Sequence, residues 1–148
     1  MNWKYITESD EVSLHDCLVT EWVFGEDITL NFEDGFDVCR ANPLNDTGRH
    51  KRTGKSAVIL KGGQFVSGTL YITKTEEKRL FEADFSGLEI EILELKRTAD
   101  SVILECDAWR TEHGDCFCEL KFKCEGIVYC WNEFTDDAWF QDYPKGNV

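Results

Sequence analysis

Between residues 101 and 125, apolar and polar positions alternate along the chain. Cys116, Cys118, Leu120, Phe122 and Cys124 share one parity, and Phe117, Glu119, Lys121, Lys123 and Glu125 share the other. Period two is the period of a β-strand, whose successive side chains point to opposite faces. Just upstream, Val102, Leu104, Cys106 and Ala108 alternate with Ile103, Glu105, Asp107 and Trp109. The connector Thr111-Glu112-His113-Gly114-Asp115 joins the two runs into a hairpin. A five-residue loop in simple register sets Arg110 opposite Cys116, Ala108 opposite Cys118 and Cys106 opposite Leu120. Cys106 and Cys118 are then diagonal neighbours on one face.

The same alternation recurs elsewhere. Ile28, Leu30 and Phe32 alternate with Asp27, Thr29 and Asn31, and Glu33-Asp34-Gly35 follows with the Asp-Gly pair of a tight turn. Phe36 and Val38 begin a return strand. Leu14–Phe24 is β-branched and aromatic and reaches Asp27 through Gly25-Glu26, so this region is expected to form a three-stranded meander. Residues 41–55 form a long polar connection. Ala57–Leu60 and Phe65–Thr73 read as strands, with Gly68 marking a bulge in the second. Thr75–Phe85 fits a short helix or a loop and strand equally. Leu88, Ile90 and Ile92 alternate with Glu89 and Glu91. Gly126 separates the cysteine strand from Ile127–Trp131, and the acidic, aromatic end from Asn132 to Val148 is expected to hold a short docking helix.

About nine or ten strands at short spacing give an all-β, mainly antiparallel fold, a β-sandwich or an up-and-down barrel with room for one short helix. Nearly every strand keeps one polar parity, which argues against parallel strands covered on both faces. The 148 residues contain two prolines and no Ser/Gly/Pro-rich tract, so residues 1–148 are read as a single domain.

Charge changes the picture more than size does. The formal net charge is −13; residues 1–74 carry 11 acidic and 8 basic side chains, and residues 75–148 carry 18 and 8. An acidic surface repels nucleic acid and anionic membranes and favours a basic protein partner, or solubility alone. No run approaches the ~18 apolar residues of a membrane span. The N-terminal residues lack an apolar signal-peptide core, so a cytoplasmic location is expected, with the seven cysteines as free thiols. Asn45-Asp46-Thr47 matches a glycosylation sequon that such a location leaves unused.

The candidate chemistry is thin. A zinc site drawn from Cys106, His113, Cys116 and Cys118 is the metal alternative. Its Cys-x-Cys spacing sits inside a strand, where free cysteine packs as a small hydrophobe, so no metal and no cofactor is expected. Gly48-Arg49-His50-Lys51-Arg52-Thr53-Gly54-Lys55-Ser56 resembles a phosphate loop but has five residues between its glycines and a strand after it. Arg49, Lys51, Arg52 and Lys55 remain the one dense basic cluster, a solvated loop, an anion site or a contact to the acidic half of another copy. His15-Asp16 resembles paired metal ligands on a helical scaffold this chain lacks. Cys17, two residues on, lacks an orienting third group for nucleophilic work. Glu89 and Glu91 share an outward strand parity that a solvated face explains. No complete active site emerges, and the chain is read as not an enzyme.

Leu14-His15-Asp16-Cys17 followed by Asn31-Phe32-Glu33-Asp34-Gly35-Phe36 resembles a pattern in small uncharacterised bacterial β-domain proteins. Some of these are similar to immunity proteins of contact-dependent or polymorphic toxin systems. The resemblance covers about the first 40 residues, rests mostly on turn chemistry, and implies no catalytic residues. The expected function is therefore protein binding, including toxin neutralisation, with a basic partner or a second copy of the chain. Trp131, Trp139 and Tyr143 are the candidate anchors, Asp136 and Asp137 the acidic contacts, and Arg49, Lys51 and Arg52 the basic ones. The alternative is a small-molecule carrier of lipocalin or fatty-acid-binding size, although the Gly-x-Trp signature of lipocalins is absent.

Overall fold

Ile28, Leu30 and Phe32 are buried while Thr29 and Asn31 stay half-buried, as their alternation dictates, and their strand lies inside a sheet rather than at its edge. The computed structural model describes residues 3–142. These form fifteen strands in three open sheets, and every strand pairing is antiparallel. The fold is an all-β sandwich, and the sheets do not close into a barrel. The five-stranded sheet runs β1 (Lys4–Thr7), β14 (Gly126–Trp131), β8 (Ser56–Lys61), β5 (Ile28–Phe32), β4 (Glu21–Phe24). The six-stranded sheet runs β10 (Glu77–Leu80), β9 (Gln64–Tyr71), β13 (Gly114–Lys123), β12 (Ser101–Thr111), β11 (Glu89–Arg97), β3 (Cys17–Val19). A smaller sheet of β15 (Phe134–Asp137), β7 (Lys51–Thr53), β6 (Asp37–Val38) and β2 (Val12–Ser13) completes the fold.

The core lies between the two larger sheets. Trp22 of β4 stacks on Phe122 of β13 with ring centroids 6.0 Å apart, and Phe85 packs against Trp22 at 4.8 Å. Phe36, just ahead of β6, meets Tyr129 at 6.3 Å and Trp131 at 6.0 Å, which ties the small sheet to the same core. Offset and edge-on pairs of this kind add to the burial of the rings themselves.

The cysteine stripe is core. Cys106, Cys116 and Cys118 are buried beside Leu104, Leu120 and Phe122, and all seven cysteines are free thiols. The hairpin register differs from the simple expectation. Cys106 pairs directly with Cys118, Ala108 with Cys116 and Leu104 with Leu120. Thr111 pairs with Gly114, and a bulge between Ala108 and Thr111 takes up the extra residue. Arg110 sits there at φ 56 and donates its N–H to Asp115 Oδ1 at 3.0 Å. The tighter turn and the bulge each shift the pairing by one residue, so together they move each partner one place along the same face, and parity is preserved while pairing is not.

Other expectations change too. Gly35 makes the tight turn, at φ 80 with its N–H on Phe32 O, but Phe36 does not return along β5. It enters the small sheet, and β8 takes the place beside β5. Leu14–Phe24 is not one strand: β3 and β4 belong to different large sheets, and the chain crosses between them at Thr20. There the hydroxyl of Thr20 donates to Asn31 O at 2.9 Å and accepts from Glu33 N–H at 3.0 Å. The bulge expected at Gly68 falls at Val66, between the pairs Lys121–Ser67 and Phe122–Phe65. The ambiguous Thr75–Phe85 resolves into β10 and a short 3-10 helix, Glu82–Gly87. The short helix expected after Asn132 is instead β15 over Phe134–Asp137, followed by turns to Asp142. The strand count exceeds nine or ten because β1, β2, β7 and β15 are too short to show a period and Leu14–Phe24 divides into β3 and β4.

Candidate partner-binding face

The parity that buries the cysteines turns the alternate residues of β9, β11, β12 and β13 outward. The register then brings particular ones together. Glu91 pairs with Asp107, Asp107 with Phe117, Phe117 with Tyr71, and Tyr71 with Glu77. The neighbouring row holds Glu105, Glu119 and Thr69, and Glu89 pairs with Trp109 beyond the other side. Three aromatic side chains therefore stand on a polar sheet face: Tyr71, Trp109 and Phe117 are 39%, 40% and 39% exposed. Tyr71 and Phe117 touch as a tilted pair with centroids 5.8 Å apart.

Carboxylates frame these rings. Glu77, Glu89, Glu91, Glu105, Asp107 and Glu119 all share the face, and none is buried. Two of them meet cations: Arg110 Nη1 lies 3.2 Å from Glu89, and Lys96 Nζ lies 3.0 Å from Glu105. At the β3 edge, burial pushes the Glu91 carboxyl above its ordinary value, and its hydrogen bond to Asp16 and the charges of Asp16 and Asp107 push the same way. His15 opposes that shift. Like charges this close favour sharing a proton over ionising together. His15 is held by Nδ1 against Leu93 O at 2.9 Å and by Nε2 near Asp16 at 3.4 Å, and its ring lies 5.9 Å from that of Trp139. Asp16 adopts φ 61 at this corner.

The candidate anchors from the sequence fare unequally. Trp131 is fully buried against Phe36 and Phe134, so it offers no surface to a partner. Its place in β14 follows from its parity with Ile127 and Tyr129. Trp139 is 46% exposed and packs on His15 and Phe140, at the edge of the acidic face. Tyr143 lies outside the described residues. Asp136 is exposed on β15.

Asp137 and the basic cluster meet each other within one chain. Arg49 donates to Asp137 Oδ2 through Nε at 3.0 Å and Nη2 at 2.8 Å, and Lys51 Nζ reaches Oδ1 at 3.2 Å. The Arg49 guanidinium holds the Asp137 carboxyl below its ordinary value, and Lys51 adds to this. Arg52 turns inward. Its Nη1 lies 3.2 Å from the fully buried Asp37 and 3.4 Å from Cys17 Sγ, while its Nε donates to Asp34 O. Burial raises the Asp37 carboxyl despite Arg52, and its Oδ1 has no partner among the described residues. The segment from Gly48 to Ser56 thus carries strand β7 and leads into β8, with no helix of the kind a phosphate loop needs. Asn45 is also structural, its amide donating to the carbonyls of Val38, Cys39 and Arg49.

The thiols are chemically quiet. Burial pushes Cys17 and Cys118 up to about 12 and Cys39 to about 11, and Cys106 well above its ordinary value. Thiolate is the nucleophile and the metal ligand, so these shifts oppose both roles. His113 stands on the exposed turn with its ring 3.3 Å from Glu112, and its carbonyl oxygen lies 3.9 Å from Cys116 Sγ. Among the described residues no group of three or more His, Cys, Asp or Glu side chains is placed to hold a metal ion, and no helix is long and apolar enough to cross a membrane.

Sequence reasoning sought anchors in the aromatic tail and missed Tyr71, Trp109 and Phe117. The signal was present: Phe117 and Trp109 are aromatics at the polar parity of their strands, where folding alone gives them no partner. In comparisons with known proteins, no family model, no curated protein and no solved structure matches this chain.

Proposed function

We propose that this domain is a non-enzymatic protein-binding module that captures a basic partner on the outer face of its six-stranded sheet. The observation that carries the reading is the row of Tyr71, Phe117 and Trp109, each about two-fifths exposed, set among six carboxylates. Aromatic rings supply most of the energy at protein interfaces, and they also accept cations on their faces. The surrounding acid steers a basic surface into place and excludes acidic competitors. A toxin-neutralising immunity protein is the form of this reading favoured by the resemblance of residues 14–36, since such a protein acts by occlusion and needs no catalytic group.

The test compares the native chain with a variant carrying Tyr71→Ser, Trp109→Ser and Phe117→Ser, each immobilised and exposed to an extract of the source organism through a salt series. A basic protein retained at low ionic strength by the native chain and lost by the variant supports the reading. The same protein retained equally by both refutes it. Circular dichroism on the variant checks that the sheet persists, which is expected because all three rings stand outside the core.

A further inference from the structure

A second feature of the molecule has the makings of a ligand site. In the seam where β1 and β14 approach β11 lies a cavity of about 530 Å³. Its apolar wall comes from Ile127 and Tyr129 of β14, Leu93 and Leu95 of β11, and Val12 and Leu14. That volume lies within the range of small-molecule sites, which join apolar walls to a few placed polar groups.

The polar groups here are unevenly committed. Arg97 is engaged by Glu8 through Nε at 3.1 Å and Nη2 at 3.0 Å, and its Nη1 donates to Ser101 O at 3.2 Å. Glu8 also accepts the Ile127 N–H at 3.0 Å, so this pair closes one side of the seam and has little left to offer. The side chains of Asp10 and Glu94, which line the same cavity, make no hydrogen bond or ion pair among the described residues, although the charge of Glu94 acts on Lys96. The Tyr129 side chain is only 5% exposed, and its hydroxyl has no hydrogen-bond partner among the described residues either. The ring packs on Phe36 in the core, while Tyr129 lines the cavity together with Glu8, Asp10 and Arg97, three of the groups whose charge bears on its phenol. The hydroxyl therefore faces the cavity. It is not among the buried atoms that lack a partner, so it meets solvent there, and a bound group can take the place of that solvent.

The charge at the mouth selects the ligand. Glu8, Asp10 and Glu94 outnumber Arg97, so an anion is repelled. A neutral apolar molecule would fill the walls but leave Asp10 and Tyr129 unused. An ammonium group on an aliphatic stem satisfies all three: the stem lies against Leu93, Leu95 and Ile127, and the head donates to the Tyr129 hydroxyl and to Asp10. We propose that this cavity binds a primary ammonium carried on an aliphatic stem, supplied either by a free alkylamine or by a lysine side chain. The residues involved are distinct from the aromatic row on the outer face, so the site stands or falls independently of that face.

The experiment is a proton–nitrogen NMR titration of the whole chain at fixed ionic strength. The probes are n-hexylamine, methylamine, hexanoate and a lysine capped at both its amine and its carboxyl. Hexylamine is expected to shift the amides of Leu93, Leu95, Ile127 and Tyr129, and Tyr129→Phe is expected to weaken it about threefold or more, the effect of one hydrogen bond. Asp10→Asn should weaken it comparably. Methylamine carries the charge without the stem and should bind at least about tenfold more weakly, from the lost apolar contact. Capped lysine binding more tightly than hexylamine identifies a side chain as the natural occupant; the reverse identifies a free amine. Hexanoate binding as well as hexylamine, methylamine matching hexylamine at these residues, or no shift with either stemmed amine overturns the proposal.

Discussion

Two glycines with nearly the same backbone conformation should respond very differently to a single methyl group. Gly35 has φ 80 and Gly48 has φ 76, so alanine at either position enters a left-handed conformation that costs about 1–2 kcal/mol. The lower chain entropy of the unfolded alanine variant returns about 0.4–1 kcal/mol in both cases. Around Gly48 nothing lies within 4 Å of a new Cβ, so its cost ends there, at about 1 kcal/mol or less. At Gly35 a Cβ would collide with the carbonyl oxygen of Thr53 and would stand 2.5 Å from Gly54 O and from Thr53 Oγ1. Two of these atoms belong to backbone, so no rotamer relieves the clash. Separation would break the bonds that join β6 to β7, from Phe36 N–H to Thr53 Oγ1 at 3.1 Å and from Thr53 N–H to Phe36 O at 2.9 Å. Each leaves a buried group unsatisfied at about 1–3 kcal/mol, so Gly35→Ala is expected to lose about 3–5 kcal/mol in all. Urea unfolding followed by tryptophan fluorescence reads this directly. With a slope of about 2 kcal/mol per molar, the midpoint falls by about 2 M for Gly35→Ala and by less than about 0.5 M for Gly48→Ala. Equal losses for the two variants would show that the close approach of Thr53 and Gly54 does not constrain the chain, and the reasoning would fail.

Three further outcomes follow from the buried and paired ionisable groups. A disulfide reagent at pH 8 should react slowly with Cys17, Cys39 and Cys118, because burial raises Cys17 and Cys118 to about 12 and Cys39 to about 11; all seven cysteines should titrate once the chain is unfolded, and fast labelling of any of these three in the folded protein, located by peptide mapping, would contradict this. Glu91 has its folded pKa raised, so the folded state holds a proton that the unfolded state has released, and stability falls as pH rises from the ordinary carboxylate range through that raised value. Glu91→Gln should therefore gain on the native chain between pH 4.5 and pH 7, and a constant difference across that interval would refute it. Glu8 is the opposite case, lowered first by its hydrogen bond to Arg97, so its contribution is present above the ordinary carboxylate range and is lost as pH falls through the lowered folded value. Glu8→Gln should accordingly be less stable at pH 7 and converge on the native chain on acidification, as read by thermal unfolding at a series of pH values.

What could be read from the chain was parity, because a single face of each long strand meets the core. That covers Ile28–Phe32, the Glu89–Ile92 alternation, and both arms of the cysteine hairpin. Parity is blind to which sheet a strand joins. Thr20 moves the chain between the two large sheets within one residue, and Gly35 sends Phe36 away from β5, and neither event changes the alternation. Register is invisible for a similar reason. The two-residue turn and the bulge at Trp109 and Arg110 together displace Cys118 from Ala108 to Cys106 without moving either cysteine off its face. The small sheet escaped notice because strands of two to four residues carry no period. What joins them is pairing at long range, including the meeting of Lys51 with Asp137. The partner face was half legible. Phe117 and Trp109 could be seen on polar parities, whereas their alignment with Tyr71, Asp107 and Glu91 needs the register.

The distribution of charge completes the reasoning about partners. By sequence the excess acid belongs to residues 75–148, which suggests an acidic tail as the contact. Folding redistributes that excess. Arg49 and Lys51 from the first half neutralise Asp137, Arg52 goes to Asp37, and Lys55 reaches Glu33 at 3.5 Å. The basic cluster is thereby used within the chain, and it takes part of the tail's charge with it. The outer face of the six-stranded sheet keeps its excess acid towards the end that holds Glu89, Glu91 and Asp107. Glu77, Glu89, Glu91, Asp107 and Glu119 gather around the aromatic row, while the cations of the face are Lys96 beside Glu105, Arg110 beside Glu89, Arg79 opposite Thr69, and Lys121 and Lys123 further along β13. Exposed pairs of this kind are worth little individually and are screened by salt. The acidic end of the face therefore surrounds the exposed aromatic row, and that coincidence distinguishes a recognition face from a merely soluble one. A solvated sheet requires carboxylates, but it does not require Tyr71, Trp109 and Phe117 among them.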